Sequence, residues 1–227
     1  WSELPLGSLC EKGRIITYGV IKLGIETPKG VPCLRTSNVR WLNIDTTGMK
    51  RIEKSLSNDY SRTILKGGEV LVNVRGTLGG VAVSEQHMAG WNVSREVAVI
   101  PVDQSVLLPK FLAFWIGAES SQAWLTGVQK GVAYTGINIE DLRLLPIGIP
   151  SPAEQQEIVR RVETLFAMAD RVLSSADQEA LMARFDKVEE EDMGQGTHEH
   201  YLRLADALAD RYGVAKVTAS CGCACGH

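Results

Sequence analysis

The sequence predicts a mixed α+β domain followed by one long coiled-coil-type helix and a short helical, Cys-rich tail. Three observations predict it. Short β-branched runs separated by glycine clusters recur between residues 14 and 101, as expected of strands joined by tight turns. Residues 109–125 carry Phe111, Leu112, Trp115, Ile116 and Trp124 at helical spacing, which predicts a helix packed on a core. Residues 151–173 place Ile158, Val162, Leu165, Ala169 and Val172 at alternating steps of four and three, the spacing of a coiled-coil seam.

The elements follow in order. Residues 1–10 offer Trp1, Leu4, Leu6 and Leu9 to pack on the domain. Residues 14–23 alternate loosely and read as a strand–loop unit broken by Gly13, Gly19 and Gly24, and residues 31–41 form a strand with Pro32 at its edge. Lys66-Gly67-Gly68 turns into residues 69–74, a β-branched run expected to be a buried strand. Gly76, Gly79 and Gly80 mark the next turn, residues 81–83 return as the partner strand, and residues 97–101 are a further apolar strand. From residue 131 come a loop, a short helix capped by Asn138 and a strand over 145–149.

The long helix marks its own start. Ser151 caps, Pro152 takes the first helical position and Glu154 stands three residues on, a capping box. Gln155, Gln156, Glu157, Arg160, Arg161 and Glu163 are expected to stay in water. So narrow an apolar stripe calls for a partner helix; the alternative is that it covers the chain's own domain. Beyond it, residues 177–191 suit a charged helix, Gly194 and Gly196 break it, and Thr197 caps a further helix over 198–212.

Composition sets bounds. A hydrophobic content of 44% is ordinary for a globular protein, and no apolar run approaches the ~20 residues that span a bilayer. No basic-then-apolar leader opens the chain, which starts at Trp1 without methionine and reads as a fragment. The net charge of −3 hides an asymmetry: residues 1–173 hold 19 Lys and Arg against 17 Asp and Glu, and residues 174–227 hold 5 against 10. The acidic excess lies in the tail, leaving the front free to present a local basic face. Without a secretory pattern, the five cysteines imply a reduced, cytoplasmic protein. No catalytic constellation emerges: His87 stands alone, and there is no Asn-Pro-Pro-aromatic motif, no glycine loop for S-adenosylmethionine and no Walker lysine. The chain is expected to be no enzyme and to need no cofactor.

Residues Gly136, Ile137, Asn138, Leu142, Leu145, Pro146, Ile149, Pro150, Pro152, Glu154, Gln155, Ile158 and Val159 form a long ordered pattern. It resembles the passage from a target recognition domain into the spacer helix of type I restriction–modification specificity subunits. Weaker similarity runs upstream through Tyr18–Val20, the stretch GVPCLRTSNVRW and the stretch LKGGEVLVNVRGTLGGVAV. The resemblance covers roughly residues 1–173 and not the tail. It implies a target recognition domain over 1–150, a spacer or dimerisation helix over 151–173 and an acidic tail of unassigned role over 174–227. It also implies double-stranded DNA, methyltransferase subunits and an endonuclease subunit as partners, with a second target recognition domain or a second copy opposite the helix.

Three groups of residues are candidates for DNA contact. Arg35, Thr36, Ser37, Asn38 and Arg40 carry side chains that read base edges or hold phosphates; a polar strand end facing water has the same composition, and the resemblance puts DNA first. Asn73, Arg75 and Thr77 follow a buried strand and adjoin Gly76, Gly79 and Gly80, where bare backbone can approach phosphate; a plain glycine hairpin accounts for them equally. Lys130, Tyr134 and Thr135 lie in a basic, aromatic loop that suits phosphate contact or stacking, or a simple turn. Lys12, Arg14, Tyr18 and Lys22 form a less specific set, and Lys50, Arg51 and Lys54 read as a solvated charged face. Partner-helix contacts are expected from Ile158, Val162, Leu165, Phe166, Ala169 and Val172.

Two further functions remain open on the residues alone. A protein–protein assembly module that no longer reads DNA needs only the helix. A metal-binding tail is suggested by Cys221, Cys223, Cys225 and His227, with His198 and His200. Alternate-residue spacing is not the usual Cys-x2-Cys knuckle, and an unliganded tail is the preferred reading.

Overall fold

The computed structural model describes residues 1–127 and 136–174, together with 177 and 180. The chain divides into two compact units, Trp1–Thr164 and Leu165–His227. The first contains β1 (Ser2–Pro5), β2 (Thr17–Tyr18), β3 (Val31–Leu34), β4 (Val39–Arg40), β5 (Asn43–Ile44) and β6 (Lys50–Ile52). These are followed by α1 (Lys54–Asp59), β7 (Val70–Asn73), β8 (Val81–Val83), β9 (Asn92–Val93) and β10 (Val97–Ile100). Helices α2 (Pro109–Gly117), α3 (Glu119–Gly127) and α4 (Ile139–Arg143) precede β11 (Pro146–Ile149) and α5 (Pro152–Val172), in which the division between units falls.

The centre is an antiparallel sheet in the order β2-β10-β7-β8. Strand β7 shows why its sequence is a near-continuous apolar run: both of its faces are covered. Val70 and Val72, then Val74, join the core formed with Phe111, Leu112 and Ile116 of α2 and Leu142 of α4. Leu71 points the other way, into a second core with Leu34, Val39, Met88 and Val93. Alternation at period two therefore serves two hydrophobic layers rather than one layer and water. A second sheet, β6-β3-β9, joins antiparallel and parallel pairs, so the mixed α+β expectation holds.

Several expectations need correction. The segment 31–41 is two short strands, because residues 35–38 fold into a turn closed by the Asn38 N–H donating to the Arg35 carbonyl. The single helix over 109–125 is two. Ala118 is extended, and the carbonyls freed at the break find donors: Gln122 Nε2 donates to Ile116 at 2.7 Å, and Trp41 Nε1 donates to Gly117 at 3.2 Å. Residues 2–5 form a strand, β1, paired antiparallel with β11 from Ser2 opposite Ile149 to Pro5 opposite Pro146. Trp1, beside it, packs against the rings of Trp115 and Phe111.

The resemblance motif has a physical account. Gly136 pairs with Arg75, the Ile137 side chain enters the main core, and the Asn138 side chain accepts from the Glu140 N–H to cap α4. The capping box of α5 forms as expected. The Ser151 N–H donates to Glu154 Oε2 at 2.8 Å, and the Glu154 N–H donates back to Ser151 Oγ at 3.4 Å. In the second unit the Ser174 N–H likewise donates to the Asp177 carboxylate.

Gln155 contradicts its expected exposure. It is buried, its Oε1 accepts from the Leu108 N–H at 2.8 Å, and its Nε2 donates to the carbonyls of Val106 and Pro150. Ile158 and Val159 pack against the main core. The start of the long helix is thus part of the globular unit, and Ile158 covers the chain's own domain rather than a partner.

Candidate nucleic-acid interface

The first candidate group is built on a turn that largely consumes its own side chains. Asn38 is 1% exposed; its Oδ1 accepts from the Arg35 N–H, and its amide donates to the carbonyls of Asp45 and Thr47. Arg35 donates through Nη2 to the Gly48 carbonyl at 2.9 Å. Both therefore fasten the 35–38 turn to the 45–48 loop, which corrects Asn38 from a surface residue to an internal one. Thr36 is half-buried, and Ser37 and Arg40 are exposed.

The second group joins the first. Asn73, also 1% exposed, donates to the Thr36 carbonyl at 3.3 Å and to the Val39 carbonyl at 3.0 Å. It too is an internal residue, with its amide NH2 spent on backbone while its buried Oδ1 accepts no hydrogen bond from the described residues. Gly80 is part of the same joint: a Cβ there would lie 2.2 Å from Asn73 Nδ2 and 2.4 Å from the Val39 carbonyl oxygen. Its missing side chain makes room for this chain, not for a phosphate. Gly76 differs, with a left-handed φ of 72° and nothing within 4 Å of where a Cβ would stand. Thr77 beside it is exposed.

Arg75 stands two residues beyond the C-terminal end of β7. Its Cζ lies 5.5 Å from the centre of the Tyr18 ring, and Tyr18 is 39% exposed on the neighbouring end of β2. Arg75 also forms an antiparallel bridge with Gly136. Lys130, Tyr134 and Thr135 lie outside the described residues; Gly136 is the first described residue after them. One end of the central sheet therefore gathers Tyr18, Arg75 and Thr77, and through Asn73 it holds the turn that carries Ser37 and the strand β4 that carries Arg40.

The other basic residues divide by use. Lys12 and Lys22 are exposed. Arg14 is committed internally, donating to buried Glu69 at 2.8 Å and to Glu11 at 3.0 Å. Lys50 and Arg51 are not a solvated face: they donate to the carbonyls of Gly24 and Gly30 and hold the 24–30 loop on β6. Lys54 is exposed.

Among the described residues no three His, Cys, Asp or Glu gather as a metal site. Burial pushes the Cys33 thiol up to about 12, so it is a poor thiolate. Cys221, Cys223, Cys225, His227, His198 and His200 lie outside the described residues. Among the described residues no helix is long and apolar enough to cross a membrane.

On the helix, Val162 is half-buried. In the second unit Leu165 is 65% and Val172 56% exposed, and Phe166 and Ala169 are also exposed.

Residues 1–175 match the family described as type I restriction modification DNA specificity domain. The chain belongs to this family. The specificity subunit of the type I restriction enzyme EcoBI from Escherichia coli is 31% identical over 172 residues, 76% of this chain and 36% of that protein. The EcoKI specificity subunit from Escherichia coli strain K12 is 29% identical over 154 residues, 65% of this chain and 32% of that one. The chain thus spans about a third of the length of these two relatives.

The fold agrees with the family. The HsdS subunit of Thermoanaerobacter tengcongensis superposes with a TM-score of 0.56 at 19% identity, over 92% of this chain and 49% of that one. The type I S subunit of M. genitalium gives 0.50 at 16% identity, over 94% of this chain and 48% of that one. This specificity domain therefore places its mixed sheets and helices as those subunits do. Sequence reasoning assigned the exposed hydroxyl and basic residues to the interface but missed that both asparagines face inward. Part of the signal was available: Asn73 ends the apolar run of residues 70–72, and each asparagine sits where a short strand meets a turn.

Proposed function

We propose that this chain reads one half of a bipartite DNA target and docks methyltransferase subunits through α5. A second target recognition domain or a second copy of the chain reads the other half, and a translocating endonuclease subunit joins the assembly. Chemistry falls to those partner subunits, in the cytoplasm. The observation that carries the reading is the family match across 1–175, which includes both the sheet end bearing Tyr18, Arg75, Thr77, Ser37 and Arg40 and the start of the helix.

Division of labour follows from the side chains. Ser37, Arg40 and Thr77 are exposed and suit phosphate contacts, which set position; Arg75, just past the end of β7 and bridged to Gly136, suits a base edge, which sets sequence. Asn38 and Asn73 hold the surface in shape and do not read bases. Beyond Thr164, the exposed Leu165, Ala169 and Val172 suit another helix rather than water.

The test is binding of the purified chain to mixed-sequence duplex DNA across a salt series. Affinity should fall as salt rises, and Arg40→Ala should reduce the slope of log affinity against log salt by about one contact. Co-purification with methyltransferase subunits but no DNA binding at any salt would instead establish the assembly-module reading.

A further inference from the structure

We infer that Tyr18 and Gly136 are positioning residues that hold the Arg75 guanidinium in one orientation for base reading. The inference rests on the DNA reading above and adds to it a cradle built from two segments distant in sequence. Tyr18 comes from β2 and Gly136 from the segment before α4, and Arg75 lies against both.

The cradle has a floor and a wall. Its floor is Gly136. A Cβ there would lie 3.4 Å from Arg75 Cγ and 3.3 Å from the Val74 carbonyl oxygen, so the stem of Arg75 runs close over bare glycine. The backbone beneath is fixed, because Arg75 bridges Gly136 and the Ile137 N–H donates to Val74 at 2.7 Å. Its wall is the Tyr18 ring, 5.5 Å from Arg75 Cζ. Tyr18 is held by the ladder that pairs it with Ala98 on β10, which in turn pairs with Val72 on β7. The ring thus sits on β2 and the guanidinium two residues beyond the end of β7, with β10 between these two strands.

An arginine reads guanine through two parallel hydrogen bonds from its planar fork, so the orientation of the plane decides whether both can form. A long side chain on an open surface samples many rotamers and loses that freedom on binding. An aromatic face under the cation, with a stem confined by a glycine floor, removes part of that freedom beforehand. Tyr18 need not touch DNA to shape which base Arg75 accepts.

The experiment selects a randomised duplex pool on the purified full chain and compares base preferences at every position. Arg75→Ala should flatten the preference at one position on the order of tenfold or more. Tyr18→Leu should weaken the preference at that same position by about two- to fivefold, as expected for an exposed cation–aromatic contact. Tyr18→Phe, which keeps the ring face, should match the parent. Tyr18→Thr, which suits a strand, repeats the test should Tyr18→Leu lower the unfolding midpoint.

An Arg75→Ala effect with unchanged preferences in Tyr18→Leu and Tyr18→Thr overturns the positioning role and leaves the DNA reading intact. Unchanged preferences in Arg75→Ala remove the reader itself. A parent chain that enriches no sequence overturns both the cradle and the reading beneath it.

Discussion

The Asn73 side chain donates to the Val39 carbonyl at 3.0 Å, so one buried amide joins the central sheet to the strand β4 that carries Arg40, next to the turn that carries Ser37. Replacing Asn73 with Leu leaves the carbonyls of Thr36 and Val39 without this donor. The expected loss is roughly 1–3 kcal/mol of stability, read as a lower urea midpoint at unchanged slope. A variant as stable as the parent but altered in base preference would place Asn73 among the readers instead.

Glu69 lies buried with its oxygens accepting from Arg14, the N–H groups of Lys66 and Gly67, and the Ser84 hydroxyl. Burial alone would raise its carboxyl, but these donors, Arg14 foremost, hold it below the ordinary 4.5. The folded value is the depressed one, so the stabilisation is present above the unfolded carboxyl range and is lost as pH falls through the folded value. Urea midpoints measured from neutral to acid pH should decline over that window, and Glu69→Gln should flatten the decline. Arg14→Leu should cost roughly 1.5–3 kcal/mol at neutral pH.

Gln155 fastens the first turn of α5 to the start of α2 through the Leu108 N–H and the Val106 carbonyl. Gln155→Leu strands those groups inside the protein. The variant should lose roughly 1–3 kcal/mol, and backbone amide exchange should quicken at the start of α2 as well as in α5. Protection that changes in α5 alone would show the two helices to be independently held.

Leu165 and Val172 are exposed, so removing their apolar surface should leave folding within about 0.5 kcal/mol of the parent. Leu165→Glu with Val172→Glu should nonetheless abolish co-purification with methyltransferase subunits, because it puts charge where a helix seam would close. Undiminished co-purification would move the docking surface elsewhere on the chain.

Much of this was legible in the residues. The capping box at Ser151 and Glu154 and the Asn138 cap depend on contacts a few residues apart, and such contacts show directly in sequence, while the apolar run of β7 marks its burial by composition alone. What escaped depends on distant partners. Strand β1 exists because β11 lies beside it, and nothing in SELP announces that pairing. The break at Ala118 is stabilised by Trp41, from a different sheet region. Gln155 reads like one more wet residue on a polar helix face, since a glutamine that satisfies three backbone groups has the same letter as one in water. The candidate interface was legible at the level of the segment, not the atom: composition marked 35–40 and 73–77 as candidates, while the direction of Asn38 and Asn73 followed from the pleat and the turn.

The pairing of Ser2 with Ile149 has a consequence for how such a module can travel. Residues 2–5 and 146–149, the two sides of a stretch of about 150 residues, are hydrogen-bonded to one another. Grafted between two points a strand's width apart in another polypeptide, it would interrupt the host no more than a surface loop does. A single crossover on each side would then exchange one such module for another.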